Sequence, residues 1–455
     1  MTAVAPAEMV ERIWARDATL WTGADEAKWL GWLDEPMRIR SRLDALQRFV
    51  EDVAAPGAIE TFVLLGMGGS SLAPHVLSTT FEGGTFHVLD TTHPAAIRHV
   101  TGALDFDATL FIVSSKSGTT LETRSHLDYF WEKTRKRGEF FVAITDPGSE
   151  LAALANERGF LRVFDGEPTI GGRYSALSVF GMVPAALLGI DLVRLLERVD
   201  EMAEACRGAY GNPGLELGLD LGAGWQEGRD KVTINPNTGD FGLWAEQLLA
   251  ESTGKEGKGL VPAPGESRDG PDRQAPEVRL PGAYELGQEF FRWEFATAVA
   301  GSILGINPFD QPNVQAAKGK TDEVLAAGGD PDVEPQGDLE ELLGEAQSGD
   351  YVAIQAFIDP TREAELERLI ERARMTGCVV THGLGPRYLH STGQLHKGGP
   401  NTGLFVQVVD EPGEEVAIPG RKFGFRRLIR AQAAGDFASL EERGRRIVRV
   451  RLEEI

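Results

Sequence analysis

The feature that most constrains this chain is a change of rhythm at Thr61. From there, short apolar runs (61–65, 85–89, 110–113, 140–144 and 161–164) alternate with longer stretches of helical periodicity. Strands that alternate with helices predict a parallel sheet, because each parallel strand must be reached by a crossover long enough to hold a helix. The fold class expected is therefore α/β, with helices on both faces of the sheet. Each run ends in Gly, Ser, Asp or Thr, so polar loops gather at the strand C-termini. That is the edge at which open α/β sheets bind ligands.

The flanking regions read differently. Residues 9–53 look helical, with Trp14, Leu20, Trp21, Trp29, Leu30, Trp32 and Leu33 at roughly helical spacing and Pro36 as an interruption. A packing surface is the simplest role for these tryptophans. A Gly-rich stretch at 208–224 reads as a connection, and a second α/β unit opens at 231–234. Within it, the Gly/Pro-rich excursion 254–282 reads as a long loop of a kind that is usually functional or mobile. Further strands are expected at 351–358, 378–381, 404–409 and 447–452, and the acidic stretch 330–350 as a solvated surface. The expected division is an N-terminal helical segment (1–55), a first α/β domain (56–205), and a second (206–455) that includes a C-terminal α/β extension.

Charge narrows the function. Of 455 residues, 46 are Lys or Arg against 69 Asp or Glu, a formal net charge of −23. So acidic a surface excludes general nucleic-acid binding, whereas a small anion would need a local island of positive groups. The two cysteines, Cys206 and Cys378, have no metal-binding or redox spacing and fit a reducing compartment. Residues 1–11 carry acidic groups and no apolar core, unlike a secretory signal. The most apolar segment, 179–190, is shorter than the ~20 residues a bilayer requires. A cytoplasmic protein with no membrane association is expected.

Two strand-terminal loops stand out. Gly66-Met67-Gly68-Gly69-Ser70-Ser71 follows an apolar strand and precedes a helical stretch, which suits either close backbone approach to a ligand or a tight turn. Ser114-Ser115-Lys116-Ser117-Gly118-Thr119-Thr120 ends the third strand and leads into a helix at Leu121. Hydroxyls, a glycine and a lysine at a helix N-terminus make a cup for a phosphate dianion. Thr119 with Glu122 also fits a capping box.

Those two loops resemble the sugar-isomerase (SIS) domain of the glucose-6-phosphate isomerase family. Later segments extend the resemblance in the family's order. They are Gly171-Gly172-Arg173-Tyr174-Ser175, Gln247-Leu-Leu-Ala-Glu251-Ser252-Thr253-Gly254-Lys255, and Asn307-Pro308-Phe309-Asp310-Gln311-Pro312-Asn313-Val314 running to Lys318. The match is most similar to the isomerase half of bacterial transaldolase/glucose-6-phosphate isomerase fusions, although no transaldolase portion is recognisable. It implies two SIS-type αβα sandwich domains with mainly parallel sheets, behind N-terminal helices.

The resemblance implies an aldose–ketose isomerase that interconverts glucose 6-phosphate and fructose 6-phosphate through an enediol. Glu251 is then the base that moves a proton between C2 and C1. Gln247, four residues earlier, shares its helical face. Arg173 supplies positive charge near the enediolate. Gln311 and Lys318, two helical turns apart, reach the sugar phosphate, with Lys318 near the ring oxygen. Gly69, Ser70, Ser115, Lys116, Ser117, Thr119, Thr120 and Gly172 complete the substrate-binding set.

The ring-opening His departs from the family pattern. No His lies between Glu251 and Lys318, where the family carries it. Gly393-Gln394-Leu395-His396-Lys397-Gly398-Gly399, much further on, looks like a displaced His motif. His396 is preferred to His390 because glycines flank it. The family His resembles a contribution from the neighbouring subunit, so the resemblance leaves open both a homodimer and a His supplied within one chain. No His/carboxylate cluster at metal-ligand spacing is visible, so neither a metal nor an organic cofactor is expected. Two alternatives are a non-catalytic sugar-phosphate-binding SIS module and an isomerase for another sugar with an anionic C6, such as mannose 6-phosphate.

Overall fold

The computed structural model describes residues 4–54, 59–81, 83–235 and 239–455, and for 314–318 the backbone alone. The five runs that open at Thr61 form β1 (Thr61–Leu65), β2 (Thr85–Leu89), β3 (Thr109–Ser114), β4 (Phe141–Thr145) and β5 (Arg162–Asp165). They pair in parallel in the order β2-β1-β3-β4-β5. Successive side chains on a strand point to opposite faces, and two cores result. Leu64, Leu110, Ile112, Val142 and Ile144 join the N-terminal helices and the helix Val179–Leu187. Val63, Leu65, Phe111, Val113 and Phe141 join the helix Leu121–Lys133 and Phe425 and Leu428 of the helix Phe425–Glu441. Helices therefore cover both faces. Chain direction diverges between β1 and β3, which opens a crevice at their C-terminal ends.

Seven further strands form two parallel sheets. The first consists of β6 (Lys231–Ile234), β7 (Val261–Pro264) and β8 (Arg273–Gln274) in the order β7-β6-β8. The second consists of β9 (Tyr351–Phe357), β10 (Val379–Leu384), β11 (Gly403–Val409) and β12 (Arg446–Arg451) in the order β10-β9-β11-β12. One face of the β9 sheet buries Val352, Ile354, Val406 and Val408 against Leu366 and Leu369. On the other face Tyr351, Ala353 and Phe405 pack with Ala250 of the helix Phe241–Thr253. The C-terminal sheet thus leans directly on the Glu251 helix.

Several expectations need correction. The excursion 254–282 holds β7 and β8, whose short runs lack a clear period. The Gly-rich stretch 208–224 lies largely in a helix, Pro213–Gln226, rather than in a connection. Its glycines permit close packing: a Cβ on Gly218 would sit 2.5 Å from Val299 Cβ, and one on Gly222 2.4 Å from Ile303 Cδ1 of the helix Glu285–Leu304. Pro36 lies in the first turn of the helix Glu35–Arg40, where its missing N–H costs nothing. Among the described residues, no helix is long and apolar enough to cross a membrane.

Candidate active site

A pocket of about 610 Å³ opens in the crevice at the C-terminal ends of β1 and β3. Its walls come from segments far apart in sequence, because each strand delivers its following loop to the same edge. Gly68, Gly69 and Ser70 form the wall after β1, and Gly172 closes on them. The contact is backbone against backbone, since a Cβ on Gly69 would lie 2.0 Å from the Gly172 carbonyl oxygen. Gly68 adopts φ +55°, and a Cβ there would meet the His390 carbonyl at 2.7 Å. Only glycine fits both demands.

The loop after β3 brings Lys116, Ser117, Thr119 and Thr120 to the pocket. Ser115 is buried behind it, pairing its Oγ with Thr120 Oγ1 at 3.1 Å and accepting from the Gly118 amide at 3.1 Å. It shapes the loop instead of facing the cavity. The Lys116 ammonium already donates to both Asp146 carboxylate oxygens (2.8 and 2.6 Å) and to the Glu167 carbonyl (2.9 Å). The loop therefore presents chiefly hydroxyls to the pocket, with a paired lysine at its rim. The expected capping box is absent. Thr120 is the N-cap and makes no side-chain cap bond, and Glu122 turns elsewhere.

The helix Phe241–Thr253 carries the catalytic candidates. Gln247 and Glu251 share a face as the spacing predicts, and Gln247 Nε2 donates to Glu251 Oε2 (3.0 Å) and to the His390 carbonyl (2.8 Å). Both side chains line the pocket, and Glu251 is only 6% exposed. Burial pushes its carboxyl above the usual range, while the Arg173 charge and the Gln247 hydrogen bond pull it back.

Arg173 lies behind the pocket wall, with Nη1 3.6 Å from Glu251 Oε1. Its guanidinium also donates to Ser252 Oγ (2.7 Å), Gln311 Oε1 (3.0 Å) and the carbonyls of Pro308 (2.7 Å) and Asp310 (2.8 Å). The buried Lys255 ammonium adds bonds to the Asn307 and Asp310 carbonyls, each 2.6 Å, and burial lowers it to about 8. Two buried cations thus fasten the loop that presents Phe309, Asp310 and Gln311 to the pocket. Gln311 precedes the helix Val314–Ala327 rather than sharing it with Lys318. The Lys318 side chain lies outside the described residues.

The histidine expectation is reversed. His390, not His396, lines the pocket. Its Nε2 lies 3.1 Å from Glu122 Oε1. His396 is sealed between Tyr388 and Phe405, its Nδ1 accepting from Gln355 Nε2 at 3.0 Å, and burial holds its pKa well below the ordinary value. The glycines after it serve packing: a Cβ on Gly398 would meet Asn313 Oδ1 at 2.4 Å and the Gly254 carbonyl at 2.8 Å, and one on Gly399 the Leu395 carbonyl at 2.6 Å. Gln394 clamps the Gly254 carbonyl (2.8 Å) and Asn313 Oδ1 (2.7 Å). The motif holds the site together from behind.

Two wall residues come from the N-terminal segment that reads as packing. Asp25 and Trp29 line the mouth, with Trp29 Nε1 donating to Asp25 Oδ2 (3.0 Å) and Asn307 Nδ2 to Asp25 Oδ1 (3.0 Å). Trp32 and Trp21 are core, Trp32 stacked on Tyr174. Among the described residues no His/Cys/Asp/Glu group is arranged to hold a metal ion.

Residues 36–210 match the family model for phosphoglucose isomerase. The glucose-6-phosphate isomerase of Acaryochloris marina is 32% identical over 271 residues, covering 54% of this chain and 50% of that protein. That of Rubrobacter xylanophilus is 28% identical over 381 residues, covering 62% and 86%. The chain spans about half the length of most of the curated relatives it matches. Among solved structures, a glucose-6-phosphate isomerase from Chlamydia trachomatis shares the fold with TM-score 0.53 at 20% identity, over 70% of this chain and 78% of that one. A hypothetical protein from Thermus thermophilus does so with TM-score 0.50 at 22% identity, over 98% and 83%. The likeness to glucose-6-phosphate isomerases read from the motifs is borne out.

Proposed function

We propose that this chain is a cytoplasmic aldose–ketose isomerase interconverting glucose 6-phosphate and fructose 6-phosphate without a metal or organic cofactor. The observation that carries the reading is the placement of Glu251: a buried carboxylate, fixed by Gln247, in one pocket with a hydroxyl-rich anion loop and an imidazole.

In this reading the phosphate rests on Ser117, Thr119 and Thr120 at the N-terminus of the helix Leu121–Lys133, where hydroxyls and unpaired amides favour a dianion. His390 exchanges a proton with the ring oxygen, opening the sugar. Glu251 then takes the proton from C2 and returns it to C1, which requires only that one carboxylate reach adjacent carbons. Arg173 acts through Glu251, since its buried charge keeps the base ionised and supports the negative charge that builds up on the enediolate. His390 lines the same pocket as Glu251 within a single chain, which supports a His supplied internally rather than by a neighbouring subunit. Lys318 remains part of the proposal through its motif.

The test is turnover of each sugar phosphate by the purified protein, with mannose 6-phosphate alongside and EDTA in a parallel series. Interconversion that survives chelation is expected. No turnover contradicts the assignment, and loss on chelation contradicts the metal-free mechanism.

A further inference from the structure

The Glu122–His390 pair is held by a third side chain from the opposite end of the sequence. Gln432, on the helix Phe425–Glu441, donates through Nε2 to Glu122 Oε1 at 2.7 Å, the same oxygen that faces His390 Nε2. Its own Oε1 accepts from the Thr92 hydroxyl at 2.6 Å. Thr92, Gln432 and Glu122 are 0%, 2% and 6% exposed. An ionised carboxylate only accepts hydrogen bonds, so the amide must present its nitrogen to Glu122, and Thr92 locks that orientation from behind.

We infer that Gln432 is a positioning residue: through Glu122 it fixes the orientation and tautomer of His390. This rests on the role proposed above for His390. A buried carboxylate without donors would take up a proton or rotate away, whereas one held by Gln432 keeps its lone pairs aimed at the imidazole. An acceptor facing Nε2 forces the neutral ring into the Nε2–H form and leaves Nδ1 as the proton-accepting atom.

Among the described residues, Asp90 and His126 do not compete for this role. Asp90 is engaged by Arg387 at 2.8 and 3.0 Å. His126 is lowered to about 4 by burial, with Nε2 on the Thr91 carbonyl and its ring stacked on Phe425. Glu251 lines the same pocket as His390. The chain Thr92–Gln432–Glu122–His390 therefore ties the helix that follows the anion loop, the C-terminal helix and the His turn into one network.

The experiment uses the full chain with ¹⁵N-labelled histidine. The His390 ring is assigned by H390N, and its tautomer is read at a pH where the imidazole is neutral. The wild type should be almost wholly Nε2–H. Q432M, which keeps volume but donates nothing, should show mixed tautomers. It should also show a kcat lower by roughly tenfold or more, within the roughly 10²–10⁴ that a general acid–base supplies, with KM changed less than about twofold. Q432E keeps the shape, sets carboxylate against carboxylate, and should disturb the ring at least as much, which secures the test if Q432M folds poorly. A wild-type tautomer in both variants, or an unchanged kcat, overturns the inference. An inactive wild type would instead overturn the proposed reaction, and the tautomer readout would still decide the role of Gln432.

Discussion

The carboxylate of Glu251 faces the guanidinium of Arg173 at 3.6 Å, with the two side chains 7% and 1% exposed. A base needs its charge, and burial works against that charge. Arg173 and Gln247 restore much of what desolvation removes, leaving the carboxyl above its usual value of about 4.3. Because the ionised form is the base, kcat/KM should fall as pH drops through a value above that of an ordinary Glu. Replacing Arg173 by Met should move this acid limb to higher pH. A pH profile of the two proteins checks both statements, and a limb that stays put contradicts the role given to Arg173.

The two candidate histidines should separate cleanly. H390N removes the imidazole from the pocket and should cost roughly 10²–10⁴ in kcat on the cyclic sugar phosphates. H396L removes the acceptor that faces the Gln355 amide in a sealed core. It should lower the melting temperature and leave kcat within a fewfold of wild type. Paired kinetics and thermal melts read the difference.

A site built from one chain cannot be repaired by another. E251Q and H390N, mixed after joint unfolding and refolding or co-expressed, should show no more activity than the sum of the two alone. Recovery toward a quarter of wild-type activity would mean that Glu251 and His390 meet across a subunit boundary.

Glu246, beside Gln247 on the same helix, turns away from the pocket into a small cavity with Leu243, Pro264, His382 and Arg387. Burial pushes its carboxyl up to about 8. The folded state then holds a proton that the unfolded chain releases above about pH 4.3, so wild-type stability declines as pH rises between those values. Relative to E246Q, the decline should be about 1.4 kcal/mol per pH unit in that window and absent above it. Denaturant titrations at several pH values test this, and parallel curves for the two proteins contradict it.

Much of this was legible in the chain because it depends on local rules. The strands of the first sheet follow from apolar runs bounded by turn residues, and their C-terminal loops had to meet at one edge. That Gln247 and Glu251 share a face followed from helical spacing, whereas their roles came from the resemblance. What escaped depends on tertiary company. The flanking glycines made His396 look accessible, yet they serve close packing against Gly254 and Leu395. Glu122 has the spacing of a cap but is drawn to His390 and Gln432, residues hundreds of positions away. Trp29 shares its aromatic spacing with Trp21 and Trp32, and nothing local distinguishes the one that borders the pocket from those that fill the core. The glycines of Pro213–Gln226 read as a linker because their partner, the helix Glu285–Leu304, lies far along the sequence.

The most direct test is isotope transfer from solvent. Fructose 6-phosphate incubated with the protein in deuterated water should yield glucose 6-phosphate carrying deuterium at C2, because the hydrogen held on Glu251 exchanges during the enediol's lifetime. E251Q should bind the sugar yet lose orders of magnitude in both turnover and labelling. Wild-type turnover that leaves the product unlabelled even when slowed, or E251Q labelling at the wild-type rate, would contradict the account.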